Sequence, residues 1–271
     1  MITLPEMPPR NTGGVNRSFA TMRAVVALMM REMATRYGRS PGGYVWALLE
    51  PIGAIIILAI GFSMLLRSPP VGNSFVLFYA TGFLPFTLYQ SLQTMVARSI
   101  IFSRPLLMYP AVTWIDAVLA RFILNALTSL LATIILFAGI LLFSDARAVI
   151  EITFILKSLA LGMLLGLSVG LLNCALFGLL PVWEQIWSIA TRPLFLISGV
   201  FFTFDSMPRM MQSILWYNPL MHIVGAMRKG FYPTYSGGYI NLSYVLGVCL
   251  VLMFLGVVLL CRFHRDILNN N

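Results

Sequence analysis

Residues Trp114 to Phe143 read WIDAVLARFILNALTSLLATIILFAGILLF, and the two charges of this run, Asp116 and Arg121, both fall near its start. A helix needs about 20 mainly apolar residues to cross the hydrocarbon core of a bilayer, and this run exceeds that length. Five further runs reach it, at roughly Tyr44–Leu66, Phe75–Ala97, Ile152–Leu180, Trp183–Phe204 and Tyr239–Cys261. A tight turn at Pro181 separates the fourth and fifth spans. Lipid offers no partner to backbone N–H and C=O groups, so such runs cross it as helices. The expected fold is an all-α integral membrane protein with six transmembrane helices.

Composition agrees. Of 271 residues, 59% are hydrophobic and 10% charged, against about 25% charged in a typical soluble domain; mean hydropathy is +0.88. A soluble fold of this length could not hide so much apolar surface. The net charge of +9 would suggest nucleic acid in a soluble protein. Here the arginines cluster at helix ends, where they meet anionic headgroups and hold the topology, so no nucleic-acid partner is expected.

Outside the spans, residues 1–17 are polar and rich in Pro and Gly and read as a disordered cytoplasmic tail, with no cleavable signal. Residues 18–40 read as an amphipathic helix in the membrane interface. Phe19, Met22, Val26, Met29, Met30, Met33 and Tyr37 recur at helical spacing, with Arg23, Arg31, Glu32 and Arg36 mostly off that stripe. Residues 41–262 form the transmembrane domain, and 263–271 a second cytoplasmic tail. The arginine bias, with six before the first span and Arg98, Arg104, Arg262 and Arg265 on the same side, places both termini in the cytoplasm. The connection at 205–238 carries two short amphipathic segments broken at Asn218-Pro219. Too short to span, they read as re-entrant or interfacial helices on the outer face.

Several chemistries find no residues. A P-loop needs a glycine-rich turn followed by Lys and Ser/Thr, and neither Lys157 nor Lys229 follows one. ATP, if it drives this protein, is therefore bound by another chain. Cys174, Cys249 and Cys261 lie in apolar runs as small buried side chains, and His222 and His264 are too far apart in sequence to suggest a metal site. The nine acidic residues include no pair on one intramembrane helix turn. No catalytic, cofactor-binding or metal-binding residue is expected.

Two stretches resemble a known family. Tyr37 to Pro51, YGRSPGGYVWALLEP, resembles the approach to the first span of type-2 ABC exporter permeases, most closely the capsular polysaccharide export branch. Trp216 to His222, WYNPLMH, followed by Arg228 and Phe231-Tyr232, is similar to that family's stretch before the last span. The layout of interfacial helix, six spans and short outer helices matches over nearly the whole chain. The resemblance implies two copies forming a channel through the inner membrane of a Gram-negative bacterium. Two ATP-binding cassette subunits, which hold ATP and Mg, would dock beneath. The cargo would be a lipid-linked anionic polysaccharide, handed to a periplasmic polysaccharide co-polymerase and an outer-membrane export channel. O-antigen, teichoic acid or a drug are alternative cargoes, and a membrane-embedded enzyme acting on lipid-linked sugars is the rival from another class.

Within that reading, the connection at 98–110 is expected to hold a coupling helix that docks on the ATPase, with Phe102 and Leu106 on its apolar face and Arg98 and Arg104 supplying charge. Arg192, midway along the fifth run, either faces the channel or pairs with Glu184 or Glu50, because a charge at that depth needs a polar partner. Tyr44, Trp46 and Glu50 at the inner mouth, and Phe195, Phe201 and Phe202 at the outer end, are channel candidates that could equally be belt or packing residues. Trp216, Asn218, Pro219, His222 and Arg228 are expected to build an outer gate. Asp116 and Arg121 are expected to satisfy each other or headgroups.

Overall fold

The computed structural model describes residues 20–37, 43–107, 112–144 and 149–270. The tail expected at 1–17, the end of the 98–110 connection and Arg147 of the outer connection lie outside them. The described chain is helical throughout, without strands: α1 (Ala20–Tyr37), α2 (Trp46–Leu65), α3 (Phe75–Ala97), α4 (Ser99–Leu107), α5 (Trp114–Phe143), α6 (Ile152–Leu179), α7 (Pro181–Ile197), α8 (Arg209–Leu215), α9 (Pro219–Phe231) and α10 (Leu242–Asn270). Among the described residues, five stretches are long and apolar enough to cross a membrane: α2, α3 continued through α4, α5, α6 and α10.

The fifth run departs from its expected form. α7 ends at Ile197 after 17 residues, about 26 Å at 1.5 Å per residue, short of the ~30 Å hydrocarbon core. Residues 198–204, expected to complete that span, form a turn instead, with Gly199 at a φ of +76°, a conformation in which glycine carries no steric cost. α7 still carries the chain back along the bundle. Trp187 at its middle donates to Gln93 near the end of α3, and by Val200 the chain lies against Gly82 near the start of α3. The last span begins at Leu242 rather than Tyr239, and residues 263–270, expected as a tail, continue α10.

Glycine sets the centre of the bundle. Gly162, Gly166 and Gly170 recur every fourth residue on α6 and face Leu88, Leu92 and Val96 of α3 in the same order. α3 and α6 therefore run parallel at close approach, as small-residue stripes allow in membranes. Gly256 of α10 abuts the Leu171 backbone and Ile267 fills the space beside Gly178, so α10 is parallel to α6 as well. Three parallel helices joined in sequence require returning segments between them, and α5 and α7 supply these. The two described ends consequently share one face: α1 packs Val25 and Leu28 on Ala120, and Arg104 of α4 donates to the Leu268 carbonyl at 3.0 Å. The apolar stripe of α1 points the other way, with Met22, Val26 and Met30 exposed.

The expected Asp116–Arg121 contact does not form. Asp116 closes a capping box at the start of α5, accepting from the Thr113 N–H and hydroxyl at 2.8 Å each. Arg121 turns instead to Glu32 of α1 at 3.3 Å, both side chains being buried, and donates to the Met95 carbonyl. A carboxylate one turn before Arg121 is better used by the orphan amides of the helix start, which frees the arginine to tie α1, α3 and α5 together.

Candidate functional site

α2, α3 and α5 enclose a groove of about 530 Å³, within the roughly 300–1,000 Å³ of small-molecule sites. Its α5 wall is a polar stripe at helical spacing, Asn125, Thr128, Ser129 and Thr133. α3 contributes Thr87, Gln90, Ser91 and Thr94, and α2 contributes Trp46, Glu50 and Pro51. Hydroxyls survive inside apolar helices because they can bond to their own backbone: Thr87 donates to Phe83, Thr94 to Gln90 and Thr128 to Leu124. Polar groups spaced three and four apart inside an apolar run mark a face turned from lipid. That signal stands in the sequence at 125–133, and the expectations drawn from charges and aromatics passed over it.

Of the channel candidates, Trp46 and Glu50 lie on the groove wall. Phe195 reaches its edge, 6.0 Å between ring centroids from Phe83, and packs on Phe201 at 4.9 Å. Phe201 stacks on toward Phe62, and Phe202 packs with Phe204 and Met221 away from the groove. The Tyr44 side chain lies outside the description. Arg192 is exposed on the single chain, and neither Glu184 nor Glu50 pairs with it: Glu184 meets Arg98 at 2.5 Å. That bridge is open to solvent on both sides and contributes little stability, yet it joins the α3–α4 junction to the start of α7.

The five outer-gate candidates fall into one assembly. Asn218 caps α9, its Oδ1 accepting from the Leu220 N–H and its Nδ2 donating to the Ile197 carbonyl, and Pro219 occupies the first turn, where no N–H is missed. His222 is fully buried. The Asn241 N–H donates to its Nδ1, so its Nε2–H donates to the Trp216 carbonyl at 2.7 Å, and the Trp216 ring stands edge-on at 5.4 Å. Arg228 is buried too, forking onto the Phe202 and Val200 carbonyls at 2.7 and 3.0 Å with its guanidinium 4.3 Å from the Phe78 ring centroid. Arg228 locks the turn after α7, and His222 ties α9 to the segments on either side of it.

Burial holds the His222 pKa below the usual 6.5. The unfolded chain takes a proton that the native imidazole refuses, so the contribution of His222 to stability is full above about pH 6.5 and shrinks as pH falls below it. Melting temperature in detergent should drop from pH 7 to about pH 5.5, and His222→Gln should flatten that part of the profile. An unchanged slope in the variant would remove the assignment.

At the opposite face, α4 exposes Ile101, Phe102 and Pro105 on one side, next to Arg98. Its other side is anchored: Arg104 bonds to α10 and Leu106 packs with Val25 and Leu28 of α1; the Phe102 ring, at the border between the two sides, is partly covered by the guanidinium of Arg121, 4.0 Å from its centroid. The hub of Glu32 and Arg121 escaped the sequence reading, because nothing in the chain order brings residues 89 apart together.

Residues 23–232 match the family model described as ABC-2 type transporter. The polysialic acid transport protein KpsM of Escherichia coli is 30% identical over 237 residues, 87% of this chain and 91% of that protein. The capsule polysaccharide export inner-membrane protein CtrC of Neisseria meningitidis serogroup B is 25% identical over 251 residues, covering 92% and 95%. BexB of Haemophilus influenzae, of the same description, is 25% identical over 245 residues, covering 90% and 92%.

Proposed function

The chain belongs to the ABC-2 type transporter family, and on that premise we propose that it is the inner-membrane permease subunit of an ATP-driven exporter of capsular polysaccharide. The observation that carries the glycan over a drug is the groove wall. Hydroxyls and amides on α3 and α5 suit a ligand that must be hydrogen-bonded, whereas an apolar drug would be held by an apolar wall. The relatives named for capsule polysaccharide export support the same choice.

Energy comes from a separate ATP-binding cassette subunit, two copies of which hold ATP and Mg against the α4 face, and two copies of this chain form the passage. The α4 face is cytoplasmic, with both termini, and α8 and α9 lie toward the periplasm, where a co-polymerase and an outer-membrane channel receive the lipid-linked polymer. The stripe of Ile101, Phe102 and Pro105 supports docking: it is apolar, exposed and mounted on a short helix braced from behind, so that a push on it moves α1, α5 and α10 together. Ile101→Asp should cut co-purification of the ATPase subunit by about tenfold or more, since a buried unpaired carboxylate costs over 1.4 kcal/mol, while leaving the permease monodisperse. Undiminished co-purification and export would refute the docking face.

A further inference from the structure

The groove has a charge balance opposite to that of its surroundings. The chain carries a net +9, yet among the described residues no cation lines the wall, and its one carboxylic acid is Glu50. Arg121 donates to the Met95 carbonyl at the α4 end, but its guanidinium is ion-paired with Glu32 and is not part of the wall. An anionic unit seated here would face a carboxylate in surroundings that screen less than water, with no guanidinium on the described wall to offset it.

Part of the remaining wall is set to accept hydrogen bonds. Thr87 and Thr128 have given their hydroxyl protons to their own helices, which leaves oxygen lone pairs for a ligand; Thr94 does the same but already accepts from the Gln93 amide. Gln90 Oε1 is buried without a partner, an arrangement that buried acceptors rarely keep. Glu50 adds two acceptor oxygens. The complementary ligand is rich in donors and free of negative charge. A pyranose ring is such a ligand, and its C–H faces suit the electron-rich face of Trp46.

We infer that this groove binds an uncharged, hydroxyl-rich sugar unit through Glu50, Gln90 and Trp46, and disfavours a sugar bearing a carboxylate or phosphate. The inference rests on the export reading and names which part of a glycan this site handles: charged units of an acidic polymer pass elsewhere, and a neutral unit is held here. The same chemistry can come from a glycosyl residue of the polymer or from the headgroup of a membrane glycolipid.

The test uses the full chain in phosphatidylcholine nanodiscs, without maltoside detergent, whose headgroup is itself such a ligand. Maltoheptaose and tetragalacturonate are titrated against tryptophan fluorescence, with Trp46→Phe to isolate the signal. Maltoheptaose should bind at least about tenfold more tightly than the anion, and Glu50→Gln, checked for an unchanged melting temperature, should narrow that ratio to about threefold or less. Equal or tighter binding of tetragalacturonate, no saturable Trp46 signal with either probe, or a ratio untouched by Glu50→Gln would overturn the inference. Nanodiscs carrying glucosyl-diacylglycerol then identify the source: competition with maltoheptaose assigns the site to a membrane-anchored unit, and no competition assigns it to the polymer. The ATPase takes no part in the measurement, so failure here leaves the docking result standing, and failed docking leaves sugar binding measurable.

Discussion

Gly166→Leu should abolish recovery of folded protein, while Gly139→Leu leaves it intact. A Cβ at Gly166 would already stand 2.8 Å from the Leu92 Cβ and 3.2 Å from the Tyr89 carbonyl. Neither neighbour is the free end of a flexible side chain, so α3 and α6 must part to admit it. The seam they share is also the one that α9 and α10 pack against, and opening it loosens three helix pairs at once. The cost should reach about 3 kcal/mol or more, the upper end of overpacking penalties. Gly139 has nothing within 4 Å of its Cβ position, and leucine there gains helix propensity. The measurement is the monodisperse fraction after extraction, with the melting temperature of whatever survives. Comparable behaviour of the two variants would show that the α3–α6 approach does not hold the bundle together.

Arg228→Met should be nearly as damaging, for an electrostatic reason. Methionine fills much of the same volume but orphans the Val200 and Phe202 carbonyls in a site without water access, at about 1–3 kcal/mol each, and removes the cation from the Phe78 ring. The turn at 198–203 would then lose what pins it to α9. Arg228→Lys should fall between, because an ammonium keeps the charge but lacks the planar fork that spans two carbonyls. Arg209→Met, on an exposed arginine of α8, is the control and should change little. Melting temperature and export should fall together across the series. A variant that loses export with full stability would make Arg228 a substrate contact instead of a lock.

Part of the groove wall is legible in the residues alone. Trp46 and Glu50 follow from their place at the start of a span, and Asn218-Pro219 announces a helix start in plain residue types. The polar stripe at 125–133 was equally readable, as was the glycine spacing at 162, 166 and 170, since both are periodicities of a single helix. Arg192 is the opposite case. A charge deep in an apolar run requires a partner or a polar cavity, but the residue alone does not say which, and its obvious partner Glu184 is engaged by Arg98 from another helix.

The sequence by itself determined the solvent of this protein and the positions of its apolar runs, because hydrophobicity is a local sum along the chain, but not how many of the six runs become helices long enough to span. It also determined that neither lysine follows a glycine-rich phosphate cradle, since such a cradle is a contiguous motif. The tertiary structure alone decided that α7 stops short and yields to a turn, that Asp116 caps while Arg121 crosses to Glu32, and that polar faces of three helices meet in one groove with Glu50 as the one acid on its described wall. Those outcomes depend on which helix faces are opposed, and facing is a property of packing in space that no single stretch of residues carries.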